Sequence, residues 1–154
     1  MSEEQYVKIL FRFYSNLLER WTVETLWAFI VDADKGLYKI DNIPFYVPLV
    51  ASDDIVFAEY DEDEERLIYR KTIEYSGNST IHVVIMDEKT DINSVRDVFK
   101  TLGCVSERVD DNYFAMEVPA SISYDSIKYR LEELEKNGII GYAESCLSNL
   151  HRYV

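Results

Sequence analysis

The chain reads as an α+β protein in two parts: a small, strongly curved β-sheet or barrel over residues 1–78, then a β-α-β-β-α-β half over residues 79–154. Three observations predict this. Residues 6–75 carry apolar side chains at a two-residue period with no convincing helix. The Ser76-Gly77-Asn78 break punctuates the chain. Beyond it, strand periods alternate twice with helical ones. The 154 residues suit one domain or two small ones; 47% are hydrophobic and 14% aromatic, with twelve Tyr and seven Phe. That is enough apolar side chain to build a core.

In the first part, Val7, Ile9, Phe11 and Phe13 alternate with Lys8, Leu10 and Arg12, as in a half-buried strand. A second alternation runs through Val23, Thr25, Trp27, Phe29 and Val31, and Ser15 to Arg20 between the two strands reads as one helical turn. Asp34-Lys35-Gly36 is a turn signal, with a short return strand over Leu37 to Ile40. Pro44 and Pro48 then forbid regular pairing through Asp41 to Pro48. Ile55 to Tyr60 and Leu67 to Tyr75 form a hairpin around Asp61-Glu62-Asp63-Glu64-Glu65.

In the second part, Ser79 to Met86 is an apolar strand. Asp91 can cap a helix in which Ile92, Val95, Val98, Phe99 and Leu102 fall at helical spacing, and Gly103 ends it. Cys104 to Val109, the turn Asp110-Asp111-Asn112 and Tyr113 to Val118 make a hairpin stopped by Pro119. Ser121 or Ser123 caps a second helix with Tyr124, Ile127, Leu131 and Leu134 on one face; Asn137-Gly138 closes it, and Ile139 to Cys146 is the last strand. This is the split unit of ferredoxin-like folds, with expected strand order 4-1-3-2. Cys104 and Cys146 then fall on opposite sheet edges, beyond the roughly 7 Å reach of a disulfide, and are expected as free thiols.

Lys8 to Tyr14, Val23-Glu24-Thr25-Leu26-Trp27-Ala28 and Asp41-Asn42-Ile43-Pro44-Phe45 together resemble a bacterial family catalogued as a domain of unknown function (domain of unknown function 4265). Asp54-Ile55-Val56, Ser76-Gly77-Asn78-Ser79-Thr80 and Leu102-Gly103-Cys104 fit the same pattern. The resemblance covers nearly the whole chain and implies no particular reaction. By size and charge alone, the chain is also similar in class to immunity partners of secreted bacterial toxins.

Charge bounds the partners. The formal net charge is −13, and residues 79–154 alone hold eight basic against thirteen acidic side chains, a net −5. Such a chain repels nucleic acid and anionic membranes and attracts cationic proteins. No apolar stretch approaches the roughly 20 residues of a membrane span. The acidic Met1-Ser2-Glu3-Glu4-Gln5 start lacks the basic and apolar regions of a secretory signal, so a cytoplasmic location is expected.

The expected binding site is the acidic hairpin: Asp53, Asp54, Glu59, Asp61, Glu62, Asp63, Glu64 and Glu65, with Tyr60 and Tyr69 as aromatic anchors. Its bland alternative is a solvated tip that keeps an edge soluble. A calcium loop starting at Asp61 fails, since Arg66 stands at the turn-glycine position and Thr72 at the bidentate-glutamate position. Asp41-Asn42-Ile43-Pro44-Phe45 reads as an Asx-type turn that packs Phe45. Glu24 reads as a surface carboxylate, His82 as a structural histidine on a strand, and His151 as part of a mobile tail. No Gly-x-Ser-x-Gly elbow, phosphate loop or zinc spacing is present, so no catalytic residue, metal or cofactor is expected. The expected function is non-enzymatic neutralisation of a basic, nuclease-type toxin domain, by a monomer or weak dimer. The alternative is a small-molecule-sensing module whose ferredoxin-like half dimerises.

Overall fold

The computed structural model describes residues 5–152; the acidic residues Glu3 and Glu4 and the tail residue Tyr153 lie outside them. Among the described residues, nine strands in two sheets and two α-helices make an α+β chain of two compact units, dividing between Ser76 and Gly77.

The first unit is a five-stranded meander closed on itself: β1 (Tyr6–Ser15), β2 (Arg20–Asp32), β3 (Leu37–Ile40), β4 (Ile55–Asp61) and β5 (Arg66–Glu74). Successive strands pair antiparallel, so in a five-strand meander the first and last run the same way. The ring therefore closes with a parallel pair, Ile9 and Leu10 of β1 against Leu67 and Ile68 of β5. Ile9, Phe11, Leu26, Ala28, Tyr38, Ile40, Val47, Val50, Val56 and Ala58 fill it. Segment 16–19 joins β1 to β2 as a plain turn, with Glu19 at φ +54°, rather than as a helical turn. At the β2–β3 turn Gly36 has φ +72°, and a Cβ there would stand 2.8 Å from a Phe57 ring carbon and 2.9 Å from the Ala58 carbonyl. Glycine is required at this place.

The alternation along β2 is real, but its phase is opposite to a reading that turns Val23, Thr25 and Trp27 inward. Cross-strand partners share a face, and β1 presents its core residues Ile9 and Phe11 to Leu26 and Glu24. Leu26 and Ala28 are therefore buried, while Val23, Thr25, Trp27 and Val31 face out.

The second unit comprises β6 (Ser79–Ile85), α1 (Ile92–Thr101), β7 (Val105–Arg108), β8 (Tyr113–Val118), α2 (Asp125–Lys136) and β9 (Ile140–Cys146). Its sheet order β7-β8-β6-β9 is the ferredoxin-like 4-1-3-2 arrangement read from the other edge. Ile81, Val83, Phe114 and Met116 pack under Ile92, Val95 and Phe99 of α1 and Ile127 and Leu131 of α2. Asp91 is the N-cap residue of α1 but its side chain makes no cap hydrogen bond, and α2 starts at Asp125 without a side-chain cap, although Ser123 Oγ accepts the Asp125 N–H at 3.2 Å. Both cysteines are buried and neither is in a disulfide, and burial pushes the Cys104 thiol up to about 12. Among the described residues, no helix is long and apolar enough to cross a membrane.

Candidate functional site

The acidic run is an ordered hairpin tip. Asp61 and Arg66 are the last paired residues of β4 and β5. Asp61 Oδ1 accepts the N–H groups of Asp63 (2.9 Å) and Glu64 (3.1 Å), an Asx turn that holds the loop. Glu65, at φ +55°, takes the left-handed step that returns the chain to β5. Glu62, Asp63 and Glu65 are exposed, whereas Glu64 folds back to an ion pair with Arg12 of β1 at 2.5 Å. Its other oxygen, Oε2, is covered without a hydrogen-bond partner. Along β4, Glu59 pairs with Arg70 at 3.3 Å and Tyr60 is exposed.

Three residues expected at this site are placed otherwise. Asp54 is 1% exposed and belongs to the interior. Its two carboxylate oxygens accept the N–H groups of Ala51 (3.0 Å) and Ser76 (2.9 Å), and Ser76 Oγ donates to the Ser52 carbonyl at 2.8 Å. Asp54 thus ties the 50–54 turn to the end of the barrel chain; burial raises its pKa above the usual carboxylate value. Tyr69 is no surface anchor: its ring stacks on Phe11 in the core at 4.5 Å and its hydroxyl meets Thr72 Oγ1 at 2.9 Å. Asp53, at φ +68°, is exposed but stands 3.9 Å from Lys39, beside the Asp54 tie rather than on the hairpin tip.

Glu24 is not a surface carboxylate. Facing Phe11 on the inner side of β2, it accepts three consecutive backbone N–H groups, of Phe45 (2.8 Å), Tyr46 (2.9 Å) and Val47 (3.0 Å). Asn42 Oδ1 in turn accepts the Trp27 N–H at 2.6 Å, and the Asp41 N–H donates to the Trp27 carbonyl at 2.9 Å. The segments Glu24 to Trp27 and Asp41 to Val47 are therefore two sides of one clasp, with Ile43 and Pro44 buried beneath it. Prolines at 44 and 48 leave this loop without a strand partner, and the Glu24 carboxylate supplies the acceptors a strand would have given.

Two serine–histidine pairs also come together. His151 is not in a mobile tail: it ends a 3-10 helix (Asn149–His151) and is 4% exposed. Its Nε2 lies 3.1 Å and 3.2 Å from the carbonyls of Pro119 and Ile122, so it donates there, and Nδ1 accepts the Ser79 hydroxyl at 2.6 Å. Ser79 Oγ, wholly buried, also accepts the Ser148 N–H at 2.8 Å. The pair is a clasp closed to any substrate. The second pair, His82 Nδ1 and Ser145 Oγ at 2.6 Å, spans the β6–β9 register shift and rests beside Tyr113. Among the described residues no cluster of three His, Cys, Asp or Glu side chains could hold a metal.

Nothing among curated proteins matches the chain. A solved structure of a hypothetical protein from Neisseria gonorrhoeae is similar, at 25% identity and TM-score 0.80, over 92% of this chain and 95% of that one. The family model described as "Domain of unknown function (DUF4265)" matches residues 24–142, a span that begins at the clasp residue Glu24 and takes in the hairpin tip and most of the ferredoxin-like unit. The chain belongs to that family.

Proposed function

We propose that this chain is a non-enzymatic acidic binding protein: a cytoplasmic immunity protein that neutralises a basic, nuclease-type bacterial toxin by direct contact. The observation that carries the reading is the ordered β4–β5 tip, which holds Glu62, Asp63 and Glu65 out into solvent on a chain of net charge −13. A nuclease domain must be cationic to hold phosphates, so an acidic inhibitor is steered onto its active face at rates near ~10⁸ M⁻¹s⁻¹. The tip carboxylates stand in for phosphates. Its Asx turn and the Arg12–Glu64 bridge hold it in place before the encounter, which lowers the ordering cost of binding.

The test is co-purification. The tagged chain, expressed in its own bacterium and recovered at low salt, should bring down one basic protein in stoichiometric amount, released by raising the salt. Neutralising Glu62, Asp63, Glu64 and Glu65 together should slow its association and flatten the salt dependence. Recovery of the chain alone at low salt, or association indifferent to the four changes, overturns the reading.

A further inference from the structure

We propose that the outward face of the β1–β2 hairpin, centred on Trp21 and Trp27, is the docking surface for a basic, partly apolar protein segment, with the β4–β5 tip as its acidic rim. This rests on the binding reading above and adds apolar anchors beyond Tyr60, which is exposed beside the tip. Tyr69 cannot serve as one, because it is committed to the core.

The register builds this face. The cross-strand pairs on this side are Lys8 with Trp27, Leu10 with Thr25, Arg12 with Val23 and Tyr14 with Trp21; Leu10 itself is covered, so the open row runs along β2. Trp21 is 72% exposed, Val23 54%, Tyr14 49% and Trp27 46%. Single exposed apolar residues are ordinary on a protein surface. A contiguous set on one sheet face, with both tryptophans of the chain in it, is the composition of interface hot spots rather than of solvent-facing strand. The rings are also held in position. Tyr14 and Trp21 meet edge-to-face at 6.0 Å, and Lys8 Nζ lies 4.9 Å from the Trp27 ring centre. Little side-chain freedom remains to be lost when a partner arrives.

Charge selects the partner. The two cations of this face are already engaged, Lys8 over Trp27 and Arg12 with Glu64. Arg12 lies opposite Val23 and one diagonal step from Trp21, so its bridge to Glu64 joins the acidic tip to the aromatic face. An incoming segment meets exposed π-faces linked through Arg12 and Glu64 to the tip that carries Glu62, Asp63 and Glu65, a combination that favours lysine or arginine beside aliphatic side chains. A second copy of this chain is disfavoured, since pairing two such faces brings two acidic tips together on chains of net charge −13.

The experiment uses a display library of random dodecamer peptides, selected at low salt on the full-length chain and counter-selected on the Trp21→Ala variant. The expected pool is rich in Lys or Arg together with aliphatic or aromatic residues. Its clones should lose at least tenfold in affinity on Trp21→Ala and on Thr25→Arg, and bind more weakly to the tip-neutralised chain. Both positions are exposed, and unchanged circular dichroism confirms that the variants fold. Basic clones that weaken on tip neutralisation but ignore Trp21→Ala overturn the docking face and leave the acidic binding reading standing. Clones that need Trp21 but are neutral or acidic overturn the partner class and that reading with it. A sedimenting dimer that Trp21→Ala dissolves assigns the face to a second copy and overturns the proposal, as does a pool with no enrichment.

Discussion

Replacing Glu24 tests the clasp on which the barrel's long loop depends. Its carboxylate accepts three backbone N–H groups at 2.8, 2.9 and 3.0 Å, from a loop whose prolines rule out strand pairing. A hydrogen bond to a charged acceptor contributes about 1.5–3 kcal/mol. Glu24 is only half-buried, so the low end applies and water recovers part of the loss. Glu24→Ala should therefore cost the barrel unit about 3 kcal/mol. Glu24→Gln should cost about 1–1.5 kcal/mol, because one amide oxygen still accepts from Tyr46 and Val47 while the new NH2 opposes the Phe45 N–H. The chain holds two tryptophans, both on β2, so urea unfolding followed by tryptophan fluorescence reports this unit selectively. Amide exchange at Phe45, Tyr46 and Val47 should accelerate about a hundredfold in the alanine variant. A loss below about 1 kcal/mol, or unchanged exchange at these three amides while the rest of the barrel loosens, refutes the clasp.

Gly36→Ala should destabilise by more than about 2 kcal/mol, combining left-handed strain with the contacts at 2.8 and 2.9 Å, whereas Gly138→Ala, at φ +75° with open space around it, should cost only about 1 kcal/mol; thermal melts of the two variants compare them. Burial raises Asp54 above its ordinary 3.8. The stability this group contributes is then fully present below about 3.8 and lost as pH rises through its folded value. Wild type should accordingly gain on Asp54→Asn as pH falls from 7 towards 4, and a difference in urea midpoint that moves the other way refutes the burial argument. Neither cysteine should react with a disulfide reagent in the native protein at pH 8, and both should react in urea; a fast native thiol would contradict the burial of Cys104 and Cys146.

Much of the architecture is legible in the sequence because it rests on local rules. Strand alternation, Gly103 and Gly138 after the helices, and the two turns of the period from 2 to 3.6 lead to the ferredoxin-like order without any long-range information. The face of β2 does not follow from the same rules. Val23, Thr25 and Trp27 are better strand-formers than Glu24, Leu26 and Ala28, so β-propensity favours the wrong side. Only pairing with Ile9 and Phe11 decides it. The clasp fails to show for a similar reason: Glu24 lies 21 to 23 residues from its amides, and a carboxylate on a strand reads as solvent-facing. One sequence signal points to it, the place of Glu24 in the same family motif as the proline-broken loop. Asp54 and His151 read as exposed because a charged loop residue and a terminal histidine usually are, and their anchoring partners, Ser76 and Ser79, stand far along the chain. The hairpin tip is where the acidic run places it, whereas the tryptophan face emerges only once the phase of β2 is known.

The parallel closure of the meander has a consequence for self-association. The ring is sealed by two residue pairs, far fewer than the ten that join β1 to β2, so thermal opening begins at this seam. Opening leaves two strand edges with unpaired amides, the usual template for runaway stacking of copies. Those edges carry Lys8 and Arg12 on β1 and Arg66 and Arg70 on β5, all exposed, in a chain that is otherwise strongly anionic. The Arg12–Glu64 ion pair crosses the same seam, so opening also separates opposite charges that reclosing on itself brings back together.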